Sequence, residues 1–268
     1  MTVRTLGPAG TYSHRAARAV DDDVTFAQSV GQVVSAVADG EVERGVVPVE
    51  NSIEGGVTES LDALTNADVA VVRELVTPIR HALLGRPGAV ATVASHPQAL
   101  GQCREFLDRE HPDAEREAVA STAAGVARAR ETDDVAAIAH PEAAEGTDLT
   151  VLAEGIQDRD SNATRFLVVA PPGDRSEAGG KTSLVVYPGA NYPGLLLELL
   201  EPFADRDINL TRVESRPSGE RLGDYVFHVD VDAGLYEDRT QAAVAAVEDV
   251  AGGGWVKRLG SYDTEHVV

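Results

Sequence analysis

The chain of 268 residues contains one cysteine, two lysines and no long apolar run. A lone Cys103 excludes an intramolecular disulfide framework and any zinc site built on paired cysteines, and reads as a small buried hydrophobe. No apolar stretch approaches the roughly 20 residues that a bilayer-spanning helix needs. Met1-Thr2-Val3-Arg4 leads into a strand pattern in place of a signal segment, so a cytoplasmic location with no membrane partner is expected. Positive charge is scarce too. Against 44 acidic residues stand 23 basic ones, 21 of them arginine, for a net charge of -21. Such a surface repels nucleic acid and anionic lipid. It also fits a halophilic protein in molar salt, where the Debye length shrinks to about 3 Å and repulsion among carboxylates is screened.

What is present alternates. Residues 3–6, 24–26, 45–49 and 69–75 read as strands, and residues 12–20, 30–39 and 57–65 as helices; Val30, Val33, Val34 and Val37 recur at helical spacing behind Ser29. A second set follows, with strands at 90–94 and 135–139 and helices at 97–109 and 122–130. The pattern indicates an α/β class with mainly parallel pairing, two lobes and a cleft between them. The stretch from Pro171 to Gly180 is polar, rich in proline and glycine and without period, which marks a boundary. Beyond it the order is strand, helix, strand, strand, helix, strand, the βαββαβ arrangement of a ferredoxin-like unit.

Several short segments carry polar groups to strand and helix ends. Gly7-Pro8-Ala9-Gly10-Thr11-Tyr12-Ser13 reads as a turn whose amides face an anion, or simply as a turn capped by Thr11. Val49-Glu50-Asn51-Ser52 delivers a carboxylate, an amide and a hydroxyl to a loop. Ser95-His96-Pro97-Gln98 starts a helix that carries Gln102, and Ser121-Thr122 starts another. In Asn162-Ala163-Thr164-Arg165-Phe166, Thr164 and Arg165 stand at a strand entrance, where arginine is able to clamp a carboxylate and threonine to donate a hydrogen bond. An arginine paired to one of the many surface carboxylates is the competing reading.

Taken in order, these segments resemble the motif set of prephenate dehydratases over nearly all of residues 1–170. Pro193-Gly194-Leu195-Leu196 and Glu214-Ser215-Arg216-Pro217 are similar to the motifs of the ACT domain that family carries. The resemblance implies a two-lobed body like that of periplasmic binding proteins plus a ferredoxin-like ACT domain. The implied boundaries are a catalytic domain at 1–172 (lobes about 1–76 plus 156–172, and 77–155), a linker at 173–180 and a regulatory domain at 181–268. It further implies a lyase of phenylalanine biosynthesis that converts prephenate to phenylpyruvate without metal or organic cofactor, is fed back upon by L-phenylalanine, and forms a homodimer or homotetramer. Thr164 would assist departure of the hydroxide and Arg165 would hold a substrate carboxylate. Phe166 would pack the ring, Asn51, Ser95 and Gln102 would orient other oxygens, and Glu50 would support its loop, with Thr11, Ser52, Ser121 and Thr122 completing the substrate site. Gly194, Leu195, Leu196, Glu214, Ser215, Arg216 and Pro217 would form the effector site, where Leu195 adds bulk in place of the family's small residue. Alternative readings are an arogenate dehydratase, a non-catalytic amino-acid sensor and a solute-binding protein.

Overall fold

The computed structural model describes residues 1–53 and 55–267. In the first lobe, valine-rich runs too short for helices form β1 (Val3–Leu6), β2 (Val24–Ala27) and β3 (Arg44–Asn51), with β1 parallel to both others. Between them lie α1 (Tyr12–Arg18) and α2 (Val30–Ala38). Ser29 caps α2 by accepting from the Gln32 amide at 3.3 Å, and the helix buries Val30, Val33, Val34 and Val37 against the sheet. A two-residue β4 (Gly55–Gly56), α3 (Thr58–Asn66) and β5 (Ala70–Pro78) follow.

The chain then crosses to the second lobe. Its elements are β6 (Ala82–Gly85), β7 (Thr92–Ser95), α4 (Pro97–Gln102), α5 (Arg104–Glu110), β8 (Glu115–Ala118), α6 (Thr122–Glu131), β9 (Val135–Ala139) and β10 (Thr150–Glu154). The strands stand in the order β10-β6-β9-β7-β8. The single helix expected over 97–109 is broken at Cys103. Asp158 makes the break: its amide donates to the Gln102 carbonyl at 2.7 Å, and its carboxylate accepts from the Glu105 amide at 3.1 Å. Gln102 is thereby left at a helix end.

β11 (Ala163–Ala170) brings the chain back and inserts between β3 and β5, antiparallel to both. Pairing in the two lobes is therefore mixed, which corrects the expectation of mainly parallel strands. A chain that leaves a lobe and returns enters its sheet from the opposite end. The two crossovers bond to each other, with the Ile79 amide on the Asn162 carbonyl at 2.8 Å and the Ile156 amide on the His81 carbonyl at 3.1 Å.

The C-terminal unit comprises β12 (Lys181–Tyr187), α7 (Leu195–Ala204), β13 (Leu210–Pro217), β14 (Tyr225–Val231), α8 (Asp238–Ala251) and β15 (Trp255–Tyr262). Its antiparallel sheet, ordered β13-β14-β12-β15, packs Leu184, Phe227 and Val229 on one face against Leu199, Phe203 and Val244 of the two helices. The other face lies on the first lobe, where Val185, Val226, Leu259 and Tyr262 share a cluster with Val71, Leu167 and Val169. Contact is backbone-close at Gly260, where a Cβ would stand 2.1 Å from the Val71 carbonyl oxygen. Both lysines serve this contact. Lys181 Nζ donates to Glu74 Oε1 at 2.7 Å, and Lys257 Nζ donates to the Leu64, Thr65 and Ala67 carbonyls at the end of α3. Finally β16 (Thr264–His266) joins the first-lobe sheet, parallel to β5.

Candidate active site

Between the lobes lies a cavity of about 460 Å³. Of the residues singled out in the sequence, Thr11, Asn51, Gln102, Ser121, Thr122, Thr164 and Phe166 line it. They arrive from both lobes: Asn51 from β3, Thr164 and Phe166 from β11, Thr11 from the start of α1, Gln102 from the end of α4, Ser121 and Thr122 from the start of α6.

The hydrogen bonds give this group a direction. Asn51 Oδ1 accepts from the Ile53 amide at 3.0 Å, which fixes the amide so that Nδ2 donates to Thr164 Oγ1 and to Asn162 Oδ1, each at 3.1 Å. Asn162 Nδ2 in turn donates to Gln102 Oε1 at 2.8 Å, and His81 Nε2 lies 2.9 Å from the same oxygen. An amide oxygen only accepts, so His81 carries its proton on Nε2. Burial pushes the His81 pKa below the usual value, keeping the ring neutral. Two donors remain. Gln102 Nε2 is buried and has no partner among the described residues, and the Thr164 hydroxyl, already accepting from Asn51, has no acceptor there for its own proton. Both groups line the cavity.

Among the described residues lining the cavity none is Asp, Glu, Lys or Arg. Positive potential comes instead from helix starts. Ser121 Oγ caps α6 through the Ala124 amide at 3.0 Å, leaving the Thr122 and Ala123 amides without intrahelical acceptors. Thr11 caps α1 in the same way at 3.2 Å. A larger cavity, about 540 Å³, lies beyond Tyr12 and is lined by Arg15 and His140. Arg15 is engaged there: its Nη1 stands 2.8 Å from His140 Nδ1 and 3.3 Å from Glu142 Oε2, across the lobes.

Four expected site residues face elsewhere. Arg165 follows Thr164 on β11, and successive side chains of a strand point to opposite faces, so its guanidinium lies on the far side of the sheet. There Nη1 donates to Glu74 Oε2 at 2.8 Å and Nη2 to Asp230 Oδ2 at 2.5 Å. The expectation that Arg165 holds a substrate carboxylate is corrected: its charge is committed to protein carboxylates. Glu50 precedes Asn51 on β3 and for the same reason points to Arg165, with Oε2 3.4 Å from Nε. Ser95 is fully buried and donates to the Ile138 carbonyl at 2.6 Å, while the Nδ1 of His96 caps α4. Ser52 ties the β3 loop to the start of β11, donating to the Ser161 carbonyl and accepting from the Ala163 amide.

Sequence reading missed His81, Tyr12 and the role of Asn162. Tyr12 donates to the Arg80 carbonyl at 2.5 Å and packs edge-on against His81 and His140. His81 and Asn162 sit on the two crossovers, and no local period marks such residues. Asn162 alone carried a signal, as the first residue of the segment that holds Thr164.

In the C-terminal unit, Gly194 adopts φ +97 at the start of α7, a conformation suited to glycine. Leu195 packs into the unit's own core and Leu196 is exposed. A cavity of about 20 Å³ beside Leu195 has room for a water and not for an amino acid. On β13, Glu214 and Arg216 point toward the catalytic body, bonding to Arg212 and Asp62, while Ser215 and Pro217 are exposed on the other face. The seven expected effector residues are thus not gathered into one site within a single chain.

Residues 3–173 match the family described as prephenate dehydratase, and residues 190–249 match the ACT domain. A prephenate dehydratase of Amycolatopsis methanolica is 38% identical over 90% of this chain and 82% of its own length. One of Lactococcus lactis is 35% identical over 98% of this chain and 97% of its own. Among solved structures, a prephenate dehydratase of Arthrobacter aurescens in complex with L-Phe superposes with a TM-score of 0.89 at 37% identity, covering 98% of this chain and 90% of that one. The chain belongs to the prephenate dehydratase family, with an ACT domain at its C-terminal end.

Proposed function

We propose that the chain converts prephenate to phenylpyruvate, carbon dioxide and water under feedback by L-phenylalanine. The observation that carries the reading is the pair of uncommitted donors, the Thr164 hydroxyl and Gln102 Nε2, in a cavity whose described lining includes Phe166 and no Asp, Glu, Lys or Arg. In the reaction the ring carboxylate leaves as carbon dioxide and its bonding pair enters the ring. The C–O bond to the para hydroxyl breaks with its pair on oxygen, and that oxygen takes one proton and leaves as water. Aromatisation drives the step once the leaving oxygen is assisted.

Thr164, polarised by Asn51, donates to that oxygen as charge develops on it. Preorganised donors of this kind contribute about 3–4 kcal/mol each at other sites. An alcohol is a weak acid, so Thr164 polarises the oxygen or relays a proton that comes from solvent. Gln102, held by His81 and Asn162, orients a second oxygen. The free amides of Thr122 and Ala123 take a carboxylate of the dianion. Phe166 packs the ring and limits water.

We further assign residues 1–172 to catalysis, 173–180 to a linker and 181–268 to regulation, with Val268 outside the described residues and β16 returning to the catalytic sheet. L-phenylalanine would bind where a second copy of the chain completes the α7 start, in a cytoplasmic dimer or tetramer. The small cavity beside Leu195 supports a site that one chain does not enclose.

The test is turnover of prephenate by the full chain in molar KCl, followed as phenylpyruvate formation with and without L-phenylalanine, with arogenate offered in parallel. Turnover of prephenate that L-phenylalanine inhibits is expected. Turnover of arogenate alone, or of neither substrate by folded protein, would overturn the reading.

A further inference from the structure

On the side of the first-lobe sheet away from the cleft, directly behind Thr164, lies a cluster of charged side chains drawn from both domains. The catalytic body contributes Arg165, Glu50 and Glu74; the C-terminal unit contributes Lys181, Arg212, Glu214 and Asp230. Its centre is dry: Glu74 is 1% exposed and Asp230 2%. Burial alone would raise the Asp230 pKa, but Arg165 and Arg212 overcome it and hold the carboxyl below the usual range.

We propose that Arg165 is a positioning residue through which the C-terminal unit sets the placement of the Thr164 hydroxyl, with Asp230 as that unit's hold on it. This rests on the reaction proposed above. Three observations support it. Arg165 and Thr164 are adjacent on β11, so a shift of one tilts the other. The β11–β3 ladder is irregular at this point, Arg165 opposing Glu50 and Phe166 opposing Pro48 with Val49 left between, and such bulges re-aim side chains. Lastly, Arg165 is only partly satisfied: Nε has no hydrogen-bond partner among the described residues, while Glu50, Glu74 and Asp230 all compete for its fork. A cluster of four carboxylates and three cations has more than one arrangement. If the C-terminal unit moves on binding its effector, Asp230 goes with it, and Arg165 must follow or re-pair with Glu50.

The contacts of Asp230 extend the hold into the regulatory sheet. Its Oδ1 accepts from Ser183 Oγ on β12 at 2.5 Å, and Ser183 also bonds to the Tyr262 hydroxyl at the end of β15. Displacement of β12, β14 or β15 is therefore felt at Arg165. A role in packing alone would weaken the fold without separating turnover from substrate binding.

The experiment is Asp230→Asn in the full chain, which keeps the shape and removes the charge, with kcat, KM for prephenate and inhibition by L-phenylalanine measured beside calorimetric binding of L-phenylalanine. Since misplacement by 1 Å costs about a hundredfold at such sites, a displacement of tenths of an ångström is expected to lower kcat about tenfold. KM should stay within about twofold. The concentration for half inhibition should rise at least tenfold while calorimetric affinity is kept. Parental kcat together with a parental inhibition curve would overturn the proposal. Should Asp230→Asn fail to fold, Ser183→Ala leaves the Asp230 charge in place and removes the hydroxyl that links Asp230 to Tyr262, and is expected to give the same pattern at about a threefold drop, with parental values again overturning it. If the parent turns over no prephenate, the functional reading fails separately. Coupling is then read from the methyl resonance of Thr164, which shifts in Asp230→Asn if Arg165 transmits and stays in place if it does not.

Discussion

The two faces of β11 differ in the kind of interaction they use. On the cleft face stand Thr164 and Phe166, among amides and hydroxyls in a cavity whose described lining holds no Asp, Glu, Lys or Arg. On the other face Arg165 sits among buried carboxylates that reach it from both domains. A net charge of -21 makes the division understandable. An anionic substrate is met by neutral donors and helix starts, which require no carboxylate partner, while the scarce cations Arg165, Arg212, Lys181 and Lys257 are used where the domains join.

The largest expected break of this comparison comes from the charged face. Arg165→Leu would leave Glu74 and Asp230 buried with less than their full complement of positive charge, and breaking such a pair costs about 3–5 kcal/mol. Urea unfolding should show that loss; a change below about 1 kcal/mol would mean that the cluster is not a structural tie.

Acid should act next, at His228 on the charged face and at His140 on the cleft side. Burial, and after it Arg212, push His228 down to about 4, and burial, and after it Arg15, do the same to His140. The unfolded chain takes up these protons near pH 6.5. Between about 6.5 and 4 the unfolded state therefore binds more protons than the fold, and stability falls as pH drops through that window. Below it the depressed carboxyls of Glu74 and Asp230 prolong the loss. The urea midpoint should be lower at pH 5 than at pH 7, and His228→Asn should shrink the difference. Equal midpoints at both values would contradict these shifts.

Salt gives the smallest effect and separates surface from interior. Molar KCl screens the exposed carboxylates but scarcely reaches Glu74 or Asp230, so the melting temperature should rise between low and molar KCl in the parent and in Arg165→Leu alike. A flat response would remove the halophilic reading of the composition.

Much of this was legible before any coordinates. The two α/β sets and the βαββαβ order follow from hydrophobic period and turn residues, and β1 and β9 match the sequence reading to the residue. The site was legible by motif and misread by side. Placing Thr164 and Arg165 at a strand entrance, and not within the strand, hid the alternation that sends Thr164 and Phe166 into the cleft and Arg165 away from it, just as it sends Asn51 in and Glu50 out. His81 depends on the path of a crossover, and β16 on the chain returning, after the whole C-terminal unit, to a sheet it had last left at Ala170; neither leaves a local pattern.

The most direct test of the division between the faces is Thr164→Val, which keeps the shape of the side chain and deletes its hydroxyl. Turnover of prephenate should fall about 10²–10³-fold, while prephenate binding, measured by calorimetry, stays within about threefold. Undiminished turnover, or binding lost in proportion to turnover, would contradict the assignment of the chemistry to the cleft face of β11.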